Sequence, residues 1–195
     1  MKRKYGLSFW DAYFIAAQEH QADIEVVFCA ALLHDKASSR LQRVQSKDAS
    51  SLRQVEREMN PKQMLAFSSI VELRNGEMRH IPMLDFHCAA SASGLRLAIS
   101  ALRALTEERR GLLLESGKSY HYYGFQLLTD KELATFLARA ILLGHIVDRR
   151  WIAHQMIERA CALRIGSGHG YESLPFVVAE ISSGVPYHLH SRPGF

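Results

Sequence analysis

Cysteine and proline are both scarce in this sequence, at 3 and 5 of 195 residues. Cys29, Cys88 and Cys161 lie far apart and are odd in number, and no Cys-x-x-Cys spacing occurs. Neither a zinc site nor a disulfide framework is therefore expected. Each thiol sits among apolar neighbours and reads as a small buried residue. Long hydrophobic runs are also missing. The longest, Val26 to Leu33, is too short to cross a bilayer. Met1-Lys2-Arg3-Lys4 is basic, yet no apolar stretch of a signal peptide follows it. There is no internal repeat and no low-complexity tract. These absences predict a soluble, cytoplasmic protein with no membrane partner.

What is present is an ordinary globular balance, 48% hydrophobic and 23% charged, in a length that supports one domain or two small lobes. The net charge of +4 and ten His permit contact with a polyanion without requiring it. Ser8 with Asp11 forms a capping pattern that opens a helix over about Phe9–Gln21. Ile24 to Leu33 is a buried strand or a buried helix; a continuous apolar run does not discriminate. From Asp35 to Asn60 the chain is polar and basic, with Lys36, Arg40, Arg43, Lys47, Arg53 and Arg57. It reads as a mobile connection with a short helix around Ser51–Met59. Residues 1–60 are thus expected to be an N-terminal helical, basic segment, 61–181 a core, and 182–195 a tail.

Within the core, Met64 to Leu73 alternates as a strand does, and Asn75-Gly76 is the strongest short hairpin signal available. Met78 to Cys88 is the expected return strand, with Pro82 marking an edge or a bulge. A helix follows over about Ser93–Arg109. Its stripe is Leu95, Ala98, Ile99, Leu102 and Leu105. A second hairpin is expected around Ser116-Gly117-Lys118-Ser119, between Leu112–Leu114 and Tyr120–Phe125. Thr129 and Glu132 then make a capping box, and Gly144 ends that helix. A short helix at Arg149–Ile157 and strands at Arg159–Ile165 and Pro175–Ile181 complete the pattern. The fold class is α+β, antiparallel hairpins packed with helices.

Two stretches carry chemistry. In Leu84-Asp85-Phe86-His87-Cys88, period-two geometry turns Asp85 and His87 to one side and the apolar residues to the other. A carboxylate suits Mg²⁺ or Mn²⁺, and an imidazole suits Mn²⁺, Zn²⁺ or Fe²⁺. In Ser119-Tyr120-His121-Tyr122-Tyr123, Ser119, His121 and Tyr123 share a face just after Lys118, a surface suited to an anionic oxygen. A structural strand histidine is the plainer reading of His121.

Together these stretches resemble the archaeo-eukaryotic primases and primase-polymerases. Asp85-Phe86-His87 is similar to motif I of that superfamily, Asp-x-Asp or Asp-x-Glu. Ser119-Tyr120-His121 is similar to motif II, Ser-x-His. Ile146-Val147-Asp148 is similar to motif III, a hydrophobic residue and Asp. Ala162 to His169 resembles the segment that follows motif III. The resemblance covers about Phe67 to Ile181 and implies an RRM-like catalytic core after an N-terminal α-containing segment. It implies nucleotidyl transfer on nucleotide triphosphates and DNA or RNA, with Mg²⁺ or Mn²⁺. Asp85, His87 and Asp148 would be catalytic and hold metal, with Glu158 as an alternative ligand. Lys118, Ser119, His121, Arg164 and His169 would bind nucleotide.

His87 departs from the pattern, because an imidazole bridges metals less readily than a carboxylate. A second expectation is therefore a degenerate site: a non-catalytic nucleic-acid- or nucleotide-binding subunit of a larger replication or defence complex, needing a protein partner. A third is an HD-type metal phosphohydrolase, since Leu33-His34-Asp35 resembles that superfamily's signature, with His20 and Asp148 as further ligands.

Overall fold

The computed structural model describes residue 13 and residues 23–32, 40–45, 63–105, 110–166 and 174–181. Two antiparallel sheets organise them. The first runs β2 (Arg40–Gln45), β1 (Ile24–Leu32), β3 (Met64–Leu73) and β4 (Met78–His80), with β8 (Ala162–Arg164) also paired to β3. The second runs β5 (Met83–Asp85), β7 (Tyr120–Gly124), β6 (Gly111–Glu115) and β9 (Phe176–Ile181). The α+β class expected from the hairpin and helix signals is what the chain adopts. The all-helical architecture of an HD phosphohydrolase is not.

The Asn75-Gly76 turn joins β3 to β4 as its sequence dictates. Gly76 takes φ +82°, and Asn75 Oδ1 accepts the Glu77 N–H at 3.0 Å. β3 is central to the first sheet and buried on both faces, so one row, Leu65, Phe67, Ser69 and Val71, is matched by buried Ala66 and Ser68 on the other.

Two expectations need correction. The return strand is not continuous to Cys88. It breaks at Ile81-Pro82, where proline lacks an N–H and fixes φ. β4 stays with β3, while β5 joins β7 in the other sheet. The Pro82 carbonyl still accepts from Gly124 N–H at 2.8 Å, so the crossover is held. Nor is the stretch before residue 60 only helical and basic. Ile24–Leu32 is a strand lying between β2 and β3, and Arg40–Gln45 is its antiparallel partner. The division expected at residue 60 therefore falls between strands of one sheet. The helices expected at Phe9–Gln21 and Ser51–Met59 lie outside the described residues, apart from helical Tyr13.

The sheets meet at aromatic contacts. Phe67 on β3 stacks on Tyr123 of β7 with ring centroids 6.0 Å apart, and Tyr13 packs edge-on against Phe67 at 5.8 Å. The Tyr13 hydroxyl donates to the Gly124 carbonyl at 2.9 Å. Three helices follow: α1 (Ala92–Leu105), α2 (Asp130–Ile141) and α3 (Arg149–Glu158). α1 buries Ala98, Ile99, Leu102 and Leu105, the stripe that its 3.6-residue period prescribes. α2 opens on the Thr129–Glu132 capping box, with the Thr129 side chain accepting from Glu132 N–H and the Glu132 carboxylate accepting from Thr129 N–H. The strand expected from Arg159 begins only at Ala162. Arg159 itself is in the left-handed region, φ +55°, and ends α3.

Candidate active site

The pairing register builds the site. On one side of β5, Asp85 lies opposite His121 of β7. On the other, Phe86 bridges Val147, the Asp148 N–H donates to the Asp85 carbonyl at 2.9 Å, and the His87 N–H donates to the Ile146 carbonyl at 2.8 Å. An antiparallel register with Phe86 against Val147 sets Asp148 directly across from Asp85. His121, Asp85 and Asp148 thus form a row across three adjacent chain segments. Their three motif positions are far apart in sequence and become neighbours only through the sheet.

Like charges directly opposite one another destabilise a sheet. Here that repulsion acts on a carboxyl that is also largely desolvated. Burial first, and the Asp148 charge second, push the Asp85 pKa up to about 7, while the Arg164 cation opposes them. A quarter of the Asp85 side chain remains open to solvent, whereas only 8% of His121 does. Asp148 is half-buried. The carboxylate pair therefore keeps partial access to solvent beside buried His121 and Tyr123.

His121 Nε2 lies 3.7 Å from Asp85 Oδ1, and His121 Nδ1 is buried without a hydrogen-bond partner among the described residues. Burial and the neighbouring Arg164 cation push the imidazole down to about 3, so it is neutral at ordinary pH. The nearby Arg164 main chain weakly opposes this. Arg164 enters from β8 of the other sheet. Its buried guanidinium donates to the Ser116 carbonyl at 2.5 Å and to the Gly166 carbonyl at 2.7 Å. A fixed cation is thereby held beside a carboxylate, and the second hairpin is tied to the strand after α3.

Asp148 has a second task. It is the N-cap of α3, and its Oδ1 accepts from both Arg150 N–H and Trp151 N–H at 2.9 Å. Asp before a helix is a legible cap signal, but the sequence reading used Asp148 only as a ligand. The cap orients the carboxylate and leaves Oδ2 outside those two bonds.

The other expected site residues are distributed differently. Lys118 is exposed at the tip of the β6–β7 turn, where Gly117 takes φ +109°. The Ser119 hydroxyl is engaged by main-chain carbonyls. His87 is exposed. Glu158 ends α3, about 15 Å along the helix from Asp148, so the structure does not bring it to the pair. His169 lies outside the described residues. Among the described residues, no group of three or more His, Cys, Asp or Glu side chains is arranged to hold a metal ion. The Asp85–Asp148 pair is nonetheless a hard-oxygen donor set. It fits Mg²⁺ or Mn²⁺, which commonly take one or two carboxylates and complete their shell with water and phosphate oxygen. It lacks the nitrogen and sulfur set of a closed zinc site.

A family model for AEP-like proteins, described as archaeo-eukaryotic primase 1D-like, matches residues 43–174. That span includes Asp85, His121, Asp148 and Arg164. No curated protein and no solved structure matches the chain.

Proposed function

This chain belongs to the AEP-like, archaeo-eukaryotic primase 1D-like family, and from that premise we propose that it is a primase-polymerase-like nucleotidyltransferase. The observation that carries the reading is the row of His121, Asp85 and Asp148 across adjacent segments. The substrates are a nucleoside triphosphate and a nucleic-acid strand. Asp85 and Asp148 would hold Mg²⁺ or Mn²⁺, which supplies neutralisation of phosphate charge and acidifies an attacking hydroxyl when bound.

The protein's own groups have separate tasks in this reading. Asp85 and Asp148, placed in opposition, gain from any cation that relieves their repulsion. Arg164 keeps a permanent positive charge behind the pair and offsets negative charge developing at the phosphate. Neutral His121 offers a ring nitrogen to a phosphate oxygen, and its burial excludes water from that side. Lys118, at the exposed turn, provides a mobile cation for the outer phosphates. The first test is nucleotide binding with and without Mn²⁺, in wild type and Asp85→Asn. Cation-dependent affinity that the variant loses supports the reading, and equal affinity in both refutes the assignment.

A second reading is favoured by His87, which stands where the family pattern has an acidic residue and points to solvent. Two carboxylates instead of three suit a subunit that binds nucleotide or nucleic acid without transferring it, in company with a catalytic protein partner. Binding without incorporation would select it.

A further inference from the structure

We propose that Ser119 is a positioning residue, the centre of a clamp that fixes the chain beyond Asp85. The inference bears on how the proposed site is held, and the geometry behind it does not depend on what the site binds.

The Ser119 hydroxyl lies in contact with two carbonyl oxygens, those of Phe86 and Cys88, the latter at 2.8 Å. A serine has one hydroxyl proton, and both neighbours are acceptors, so that proton is shared between them. The two carbonyls flank His87. Gripping them turns the Phe86–Cys88 backbone toward the hairpin and His87 outward, consistent with its exposure.

The residues on either side of Ser119 extend the grip. The Lys118 carbonyl accepts from Ala90 N–H at 3.0 Å. The Tyr120 carbonyl accepts from Phe86 N–H at 2.9 Å, and the Tyr120 hydroxyl donates to the Ser91 carbonyl at 2.9 Å. Three consecutive residues thus bind the segment Phe86–Ser91 at five points. On its far side the same segment pairs with Ile146 and Val147. The clamp therefore sets Asp85 against Asp148 and leads the chain into α1.

Amide hydrogen exchange of the full chain, without nucleotide or cation, tests this. Ser119→Ala is expected to speed exchange at Phe86, His87 and Ala90 roughly three- to tenfold, the scale of one lost hydrogen bond. Ser119→Thr, which keeps the hydroxyl, is expected to restore the wild-type rates. Unchanged exchange in Ser119→Ala would overturn the proposal. If that variant does not fold, Ser119→Cys conserves size with a weak donor, and the same amides are read: faster exchange supports the clamp, equal exchange overturns it. Mn²⁺ binding followed by paramagnetic resonance adds a readout at the carboxylates, with affinity expected to fall severalfold in Ser119→Ala and to recover in Ser119→Thr. Equal Mn²⁺ affinity in wild type and Ser119→Ala would overturn the clamp's role in setting the pair. A wild-type protein that binds no Mn²⁺ would count against the proposed activity, while the exchange data would still decide the clamp.

Discussion

Asp148 sits directly across from Asp85, its N–H donating to the Asp85 carbonyl at 2.9 Å, in the register set by the Phe86–Val147 bridge. Two carboxylates are thereby placed side by side in a partly buried setting, and the imidazole next to Asp85 is held neutral. Such a pairing costs stability in the absence of a ligand. In the proposed function a bound cation would offset that cost.

Asp85→Asn is expected to stabilise the cation-free protein near pH 8 and to matter little near pH 4. The folded-state pKa of Asp85 is raised from 3.8 to about 7, so the stability tied to its proton is full below about pH 4 and is lost as pH rises through 7. His121 acts oppositely. Its pKa falls from 6.5 to about 3, so its contribution is full above pH 6.5 and is lost as pH falls through 3. Between about pH 4 and 6.5 the two slopes oppose each other. With a quarter of the Asp85 side chain exposed, the gain near pH 8 should be about 1–3 kcal/mol. Urea denaturation at the two pH values checks it.

Asp148 combines a cap with a charge, and two substitutions separate them. Asp148→Ala removes both and is expected to cost about 1 kcal/mol of stability through the lost N-cap of α3. Asp148→Ser keeps a capping oxygen and should fold near wild type. Both should lose any rise in melting temperature produced by Mg²⁺ or Mn²⁺. Thermal melts with and without cation distinguish the outcomes.

Arg164→Met is expected to destabilise by about 2–4 kcal/mol, because the Ser116 and Gly166 carbonyls lose buried donors. It should also raise the Asp85 pKa further, since the opposing Arg164 charge is gone. Arg164→Lys keeps the charge but not the paired geometry, so it should recover the pKa more than the stability. Carbon-detected titration of the Asp85 carboxyl, with denaturation alongside, measures both.

His87→Asp restores an acidic residue beside Asp85. Since His87 is exposed, the fold should be unaffected. Mn²⁺ affinity is expected to rise severalfold, because a carboxylate at position 87 adds negative charge near the pair. Calorimetric titration with Mn²⁺ gives the answer.

Much of this was readable from local chemistry. The Asn75-Gly76 turn, the Thr129–Glu132 capping box and the α1 stripe follow from neighbours within one or two turns. The grouping of Asp85, His121 and Asp148 was legible only through the family resemblance, because sheet register is a long-range property. The split at Pro82 was half-visible: proline marked an irregularity, but the choice of a second sheet depended on β7, nearly forty residues onward. The strand at Arg40–Gln45 was hidden because its exposed side carries charge, while its pairing with β1 is a backbone matter. The contacts of Ser119 to the Phe86 and Cys88 carbonyls were hidden, since nothing in its spacing reveals them.

The most direct measurement is incorporation of labelled nucleotides by the purified chain, on single-stranded templates with and without primer, under Mg²⁺ and Mn²⁺ separately. Ribo- and deoxynucleotides would both be supplied. The account predicts product that depends on the cation and disappears in Asp85→Asn. No product under either metal, from protein that is folded and binds nucleotide, would contradict nucleotidyl transfer by this chain alone.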